Sequence, residues 1–245
     1  SWFVALEARH PLARGRSHGL WAFAELGLRD LRQDRAGVRV RHDRVPTLRA
    51  GLSVVGPAAG GRFRGRMTFS HGLDIFDATQ LGDPLASRRD ASADFATLEA
   101  WAEWERKLPA AFSLSIAGRG QLASDPLLAS EDLGLGGSRF LRGYNYSERV
   151  GDEGIMGSGE LRYDLDHPAG LLRSLQLYAY ADGGVVGNLE DGRGGGALSS
   201  AGGGLRADVT RNLNLDVEMA VPLTGPRYDT DDQTPRLNVR VRQAF

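Results

Sequence analysis

Apolar and polar residues alternate along most of the chain. Near the end, Leu237, Val239, Val241 and Phe245 share one parity, against Arg236, Asn238, Arg240 and Arg242 on the other. In the preceding segment Leu213, Leu215, Val217, Met219 and Val221 oppose Asn214, Asp216 and Glu218. Earlier, Phe63, Met67 and Phe69 oppose Arg62, Arg64 and Arg66. A period of two sends successive side chains to opposite faces of a β-strand. The pattern predicts about eleven strands, roughly 1–11, 19–33, 46–56, 61–73, 94–108, 111–124, 156–166, 171–187, 197–211, 213–223 and 236–245.

The connections between these strands alternate in length. Short ones fall at 11–18, 55–60, 108–110, 167–170 and 210–212. Long ones fall at 34–45, 74–93, 125–155, 188–196 and 224–235. Short turns on one side and long loops on the other mark an outer-membrane barrel, with the short turns periplasmic. A soluble sandwich gives the same period. The segments here are longer, about ten to fifteen residues, and their polar faces carry dense charge of both signs, as a hydrated lumen does. The predicted class is therefore all-β, an antiparallel transmembrane β-barrel of the bacterial outer membrane. Residues 1–245 read as its C-terminal part, with N-terminal strands and periplasmic domains outside it. The odd strand number and the start at Ser1 agree with that. The polar stretch 74–93, which contains Pro84, reads as a mobile surface loop.

Composition removes several chemistries. The absence of cysteine excludes disulfides, thiolate metal sites and cysteine nucleophiles. A net charge of -1 gives no footprint for nucleic acid. The five histidines, His10, His18, His42, His71 and His167, have no metal-ligand spacing. Gly157-Ser158-Gly159 lacks the full nucleophile-elbow pattern. No enzymatic role, cofactor or metal is expected. Apolar runs are too short for a membrane-spanning helix. Trp2, Trp101 and Trp104 are candidates for an interfacial belt. Arg62, Arg64 and Arg66 are expected to pair across the lumen with Glu99, Glu103 and Glu105, or else to guide a polypeptide through it.

The longest connection leads into GGSRFLRGYNYSERVGDEGIMGSGELRYDL, residues 136–165. This region, with LPAAFSLSIAGRGQLASDPLLASEDLGLGG just before it, resembles the two-partner secretion transporters, the haemolysin-activator and filamentous-haemagglutinin exporter type. Their superfamily also includes the barrel-assembly insertases. Leu141, Arg142, Gly143 and Tyr144 match the family's loop motif, with Leu141 in place of the usual Val. Tyr180, Asp182 and Gly184 match the aromatic-x-Asp-x-Gly strand motif, with Tyr in place of the commoner Phe.

The resemblance implies a barrel of about sixteen strands whose sixth extracellular loop folds back into the lumen. Carried over, Arg142 pairs with Asp182, with Glu160 as an additional acceptor. Gly143 is expected to permit a tight tip at positive φ, and Tyr144 to pack on the lumen wall. Val239, Val241 and Phe245 resemble the C-terminal signal by which such barrels are recognised for assembly. The implied function is an outer-membrane pore that secretes or activates a large partner protein, a haemolysin or an adhesin. Outer-membrane lipid and the barrel-assembly machinery are the further expected partners. Two alternatives are a membrane-protein insertase of the same superfamily and the barrel anchor of an outer-membrane enzyme.

Overall fold

In the computed structural model, residues 1–165, 172–190 and 192–244 are described. Eleven strands form one antiparallel sheet: β1 (Trp2–Arg14), β2 (Gly19–Arg35), β3 (Val38–Ala58), β4 (Gly61–Gly72), β5 (Ala96–Lys107), β6 (Phe112–Ala123), β9 (Glu153–Leu165), β10 (Ser174–Gly187), β11 (Gly196–Asp208), β12 (Leu213–Pro222) and β13 (Arg236–Gln243). Each pairs with its sequence neighbours, except where β6 pairs with β9 across an inserted two-stranded ribbon, β7 (Leu133–Leu135) and β8 (Arg149–Gly151). The sheet is open, with β1 and β13 at its edges.

The two faces of this sheet are inverted relative to a soluble protein. Phe69, Leu98 and Leu122 sit side by side in one register row and are all exposed. Leu6, Leu26 and Leu48 form a second such row. The opposite face buries charge: Glu103, Glu160 and Asp182 are each below one-tenth exposed. An apolar exterior with a charged interior is the signature of a barrel in lipid around a hydrated lumen. It excludes the soluble sandwich, whose apolar face would be covered.

Three expectations need correction. The connection at 34–45 is not a long loop. Strands β2 and β3 run on as a hairpin to a two-residue turn at Ala36 and Gly37, both with positive φ (50° and 79°), the form that matches strand twist. The hairpin was hidden because the outer half of β2, ArgAspLeuArgGlnAspArg, is polar on both faces, so alternation fades there although Val38 and Val40 still alternate with Arg39 and Arg41 on β3.

The stretch 74–93 is not a loose surface loop either. Ala78, Ala91 and Ala93 are buried with Val45, Phe95, Leu127 and Leu128 in one apolar cluster. Its backbone is tied to the β3 extension: Thr79 N–H donates to the Arg44 carbonyl at 3.0 Å, and Ser87 N–H to Asp43 Oδ1 at 2.9 Å. Scattered small residues carry this packing, and no periodic pattern announces them.

Trp101 and Trp104 do not share a belt. They lie three residues apart, so a period of two sends them to opposite faces. Trp101 faces the lumen beneath Arg139, whose guanidinium carbon is 4.6 Å from the ring centroid. Trp104 donates its indole N–H to the Ala58 carbonyl at 2.8 Å, at a short-turn end. Trp2 is exposed. On edge strand β13, Val239 and Val241 are exposed, while Phe245 lies outside the described residues, as does His167.

Candidate functional site

The loop after β6 is built, not slack. The β7–β8 ribbon pairs Leu133 with Gly151 and Leu135 with Arg149, which closes off residues 136–148 as a separate tip. Leu133, Leu135, Phe140, Leu141 and Tyr144 are buried with Met156, Val186 and Leu198 of the sheet's inner face. Burial of such side chains stabilises by about 1.5–3 kcal/mol each, so the tip is anchored by apolar area before any charge is counted. Gly184 makes room for this seating. A Cβ there would lie 3.0 Å from Leu135 Cδ2 and 2.8 Å from Met156 Cβ.

At the tip, Leu141 takes the left-handed conformation (φ 58°), and Tyr144 N–H closes the turn onto the Leu141 carbonyl at 2.9 Å. The positive φ expected of Gly143 therefore belongs to Leu141. Gly143 serves close approach instead, since a Cβ would lie 2.8 Å from the Pro222 backbone nitrogen. The tip is thus pressed against the end of β12, where any side chain would push it away.

This geometry delivers Arg142 into the middle of a carboxylate cluster. Its amide and Nε both donate to Asp182 Oδ2 at 3.1 Å, and Nη2 donates to Oδ1 at 3.2 Å. The guanidinium so forks across both carboxylate oxygens, which fixes orientation as well as energy. Nη1 donates to Glu160 Oε2 at 2.8 Å and to Glu218 Oε2 at 3.3 Å, and Nη2 to Ser158 Oγ at 3.2 Å. Burial opposes the Arg142 charge. Hydrogen bonds to Asp182 and Glu160 outweigh it and hold the group protonated well above the usual arginine value.

Strand register explains why these groups converge. Tyr180 is paired with Glu160, and Asp182 with both Ser158 and Ser200, so all face the lumen together. Two tyrosines complete the seat. Arg142 Cζ lies 3.2 Å from the Tyr180 ring centroid, and Arg206 Cζ lies 3.8 Å from that of Tyr178. Each ring lies flat over a glycine of β11. A Cβ on Gly202 would meet Tyr180 Oη at 2.5 Å, and one on Gly204 would meet Tyr178 Oη at 2.8 Å. Glu160 is shared further, accepting from Arg162 at 2.6 Å and Arg206 at 2.8 Å. Tyr178 donates to Asp216 at 3.0 Å. The buried charges of both signs are thereby compensated, as desolvated charge requires.

Residues 1–207 match the family described as haemolysin secretion/activation protein ShlB/FhaC/HecB. The chain belongs to this family. Its members are two-partner secretion transporters, β-barrels of the bacterial outer membrane. Among solved structures, CdiB from Escherichia coli is 21% identical with a TM-score of 0.84, covering 99% of this chain and 45% of its own. CdiB from Acinetobacter baumannii is 16% identical with a TM-score of 0.76, covering 98% of this chain and 41% of its own. At that identity the likeness shows the fold, and this chain spans under half the length of either structure. No curated protein matches significantly.

In this member of the family, the fold also brings in residues that the sequence did not single out. Asp152, fully buried, accepts both Arg88 contacts at 2.7 Å, Leu127 N–H at 2.8 Å and Leu189 N–H at 2.7 Å, and so ties three loops together. Arg227, also buried, donates to the Gly143 carbonyl at 2.8 Å and to the Thr234 carbonyl at 2.8 Å, and pairs with Asp232. The Tyr144 hydroxyl donates to the Thr224 carbonyl at 2.5 Å and accepts from Thr224 N–H at 2.9 Å. The Gly-Asp-Glu-Gly run at 151–154 hinted at Asp152. Nothing local marks Arg88 or Arg227 as clamps, since their contacts to Asp152 and Gly143 span 64 and 84 residues.

Half-buried Asp132, beside this knot, has its pKa pushed up to about 7 by burial and by the neighbouring Asp152 carboxylate. One of its oxygens is buried without a hydrogen-bond partner among the described residues. The expected lumen pairs are only partly formed. Arg64 meets Glu103 at 2.8 Å, whereas Glu99 pairs with Arg119 and Glu105 with Arg162.

Proposed function

We propose that this chain is the C-terminal barrel part of a pore that passes a large partner protein, a haemolysin or an adhesin, to the cell surface. Family membership over residues 1–207 is the observation that carries this reading. The loop tip Leu141–Tyr144 acts as the lumen occupant, and Asp182, Glu160, Tyr180 and Gly184 are the wall residues that anchor it. Gating then consists of releasing or retaining that contact while the polypeptide passes. The exposed apolar face meets outer-membrane lipid. Val239, Val241 and Phe245 supply the signal read by the barrel-assembly machinery.

The experiment is Arg142→Ala in the full-length transporter, expressed with its partner. Secretion is expected to fall by about tenfold or more, because removing one member of a buried charge cluster costs about 3–5 kcal/mol. Barrel levels in the outer membrane are expected to hold, since the strand pairing does not involve Arg142. Normal export at normal barrel levels would overturn the gating role.

A further inference from the structure

The inner face of β1–β5 is unlike the seat of the loop. Several guanidiniums there, among them the three of Arg9, Arg62 and Arg66, have no carboxylate within ion-pairing distance among the described residues. Most nearby carboxylates are taken, Glu103 by Arg64 and Arg139, Glu105 by Arg162 and Glu99 by Arg119; Glu7, two residues from Arg9, and Asp132, at the far end of the groove, make no ion pair among the described residues. Two of the three lie over aromatic rings instead. Arg9 is 4.8 Å from the Trp21 centroid, and Arg66 is 3.7 Å from that of Phe23. Stacking holds a guanidinium flat and leaves its charge and several N–H donors free for a ligand.

These residues line a continuous groove. A cavity of about 480 Å³ opens at the short turn after β1 and shares the walls Trp21, Val55 and Arg62 with the next, of about 530 Å³. That one shares Arg66 and Trp101 with a third, of about 600 Å³, which reaches Ser138 and Phe140 beside the loop tip. The groove thus leads from the short-turn end of the sheet to the plugging loop. Arg62, Arg64 and Arg66 alternate along β4 with a repeat of about 6.5–7 Å, which is also the repeat of every second side chain in an extended polypeptide.

We propose that this groove is a binding track for acidic, extended segments of the exported polypeptide, with Arg9, Arg62 and Arg66 as its contact residues. It rests on the export reading above. The excess of unpaired cations selects the occupant: a basic segment would be repelled, and an apolar one would strip water from the guanidiniums without replacing it.

The test uses the full-length transporter in detergent, with fluorescent oligo-glutamate and oligo-lysine peptides followed by anisotropy at low and high salt. Oligo-glutamate is expected to bind, to weaken as salt rises, and to lose about tenfold or more in affinity in the Arg9→Ser/Arg62→Ser/Arg66→Ser variant. Equal binding by that variant, or equal binding of oligo-lysine, overturns the track. The Arg62 guanidinium makes no hydrogen bond or ion pair among the described residues. Arg62→Ser alone, with the expected smaller loss, therefore keeps the test decisive should the triple variant not fold. Should the serine variants raise basal pore conductance with peptide affinity unchanged, the groove holds another part of the transporter, and the proposal fails. A partner that is exported equally well without the transporter would sink the export reading while leaving peptide binding intact.

Discussion

The inner wall carries two differently finished surfaces. Along β9–β12, Arg142, Arg162 and Arg206 meet Asp182, Glu160 and Glu218 in a closed set of contacts, and the loop tip fills the remaining space. Along β1–β5, cations exceed their carboxylates and stack on Trp21 and Phe23 over open cavities. Both come from the same alternation of inward polar and outward apolar residues. Charge balance makes the difference: a compensated wall holds one element in place, and an uncompensated one is left to receive a ligand.

The compensated wall is most sensitive at Arg142. Arg142→Ala leaves Asp182, Glu160 and Glu218 facing one another, and limited proteolysis is expected to cut within residues 136–148 at least tenfold faster. Arg142→Lys is expected to recover only part of the protection, because an ammonium cannot fork across Asp182. The next largest effect is expected at Asp152. Asp152→Ala removes the acceptor of two loop amides and leaves Arg88 buried beside a single remaining carboxylate, Asp90. The loops 74–93 and 125–152 should together open to protease or amide exchange, at a cost of about 3 kcal/mol or more, with barrel levels retained.

A smaller effect is expected from pH. Asp132 has a raised folded-state pKa, so the folded loops bind its proton more tightly than an unfolded chain does. Loop stability should therefore be greatest at low pH and fall as pH rises from about 4 to about 7. Amide exchange in 125–152, measured at pH 5 and pH 8 with correction for intrinsic rates, should show that loss. Asp132→Asn should flatten it. Smallest of all is Tyr180→Phe. The Tyr180 hydroxyl is buried without a partner among the described residues, so its removal should leave both thermal stability and secretion within experimental error. A clear loss would mean that the hydroxyl has a role beyond its ring.

The strand alternation was legible wherever lipid lies on one side and water on the other, and there the predicted and observed strands agree to within a few residues. It failed at the β2–β3 hairpin, where the outer half of β2 is polar on both sides, and in 74–93, where packing rests on scattered alanines. At the site, Arg142, Asp182 and Glu160 could be proposed as a group because their motifs survive in the local sequence. The glycines beneath Tyr178 and Tyr180, the Leu141 turn and the Arg227 and Arg88 clamps could not. Each depends on what crosses from a distant segment, which only register and loop packing determine. The Trp101–Trp104 assignment was decidable from parity alone, since an odd separation cannot keep two strand residues on one face.

We propose that the Arg142–Asp182 contact is what holds the loop tip in the lumen. Amide hydrogen exchange of residues 138–146 in the full-length transporter tests it most directly. Slow exchange is expected at Arg142 and Tyr144, whose amides donate to Asp182 and to the Leu141 carbonyl, with an acceleration of about a hundredfold in Asp182→Ala. Exchange at free-loop rates in the unaltered protein, or protection unchanged by Asp182→Ala, would contradict it.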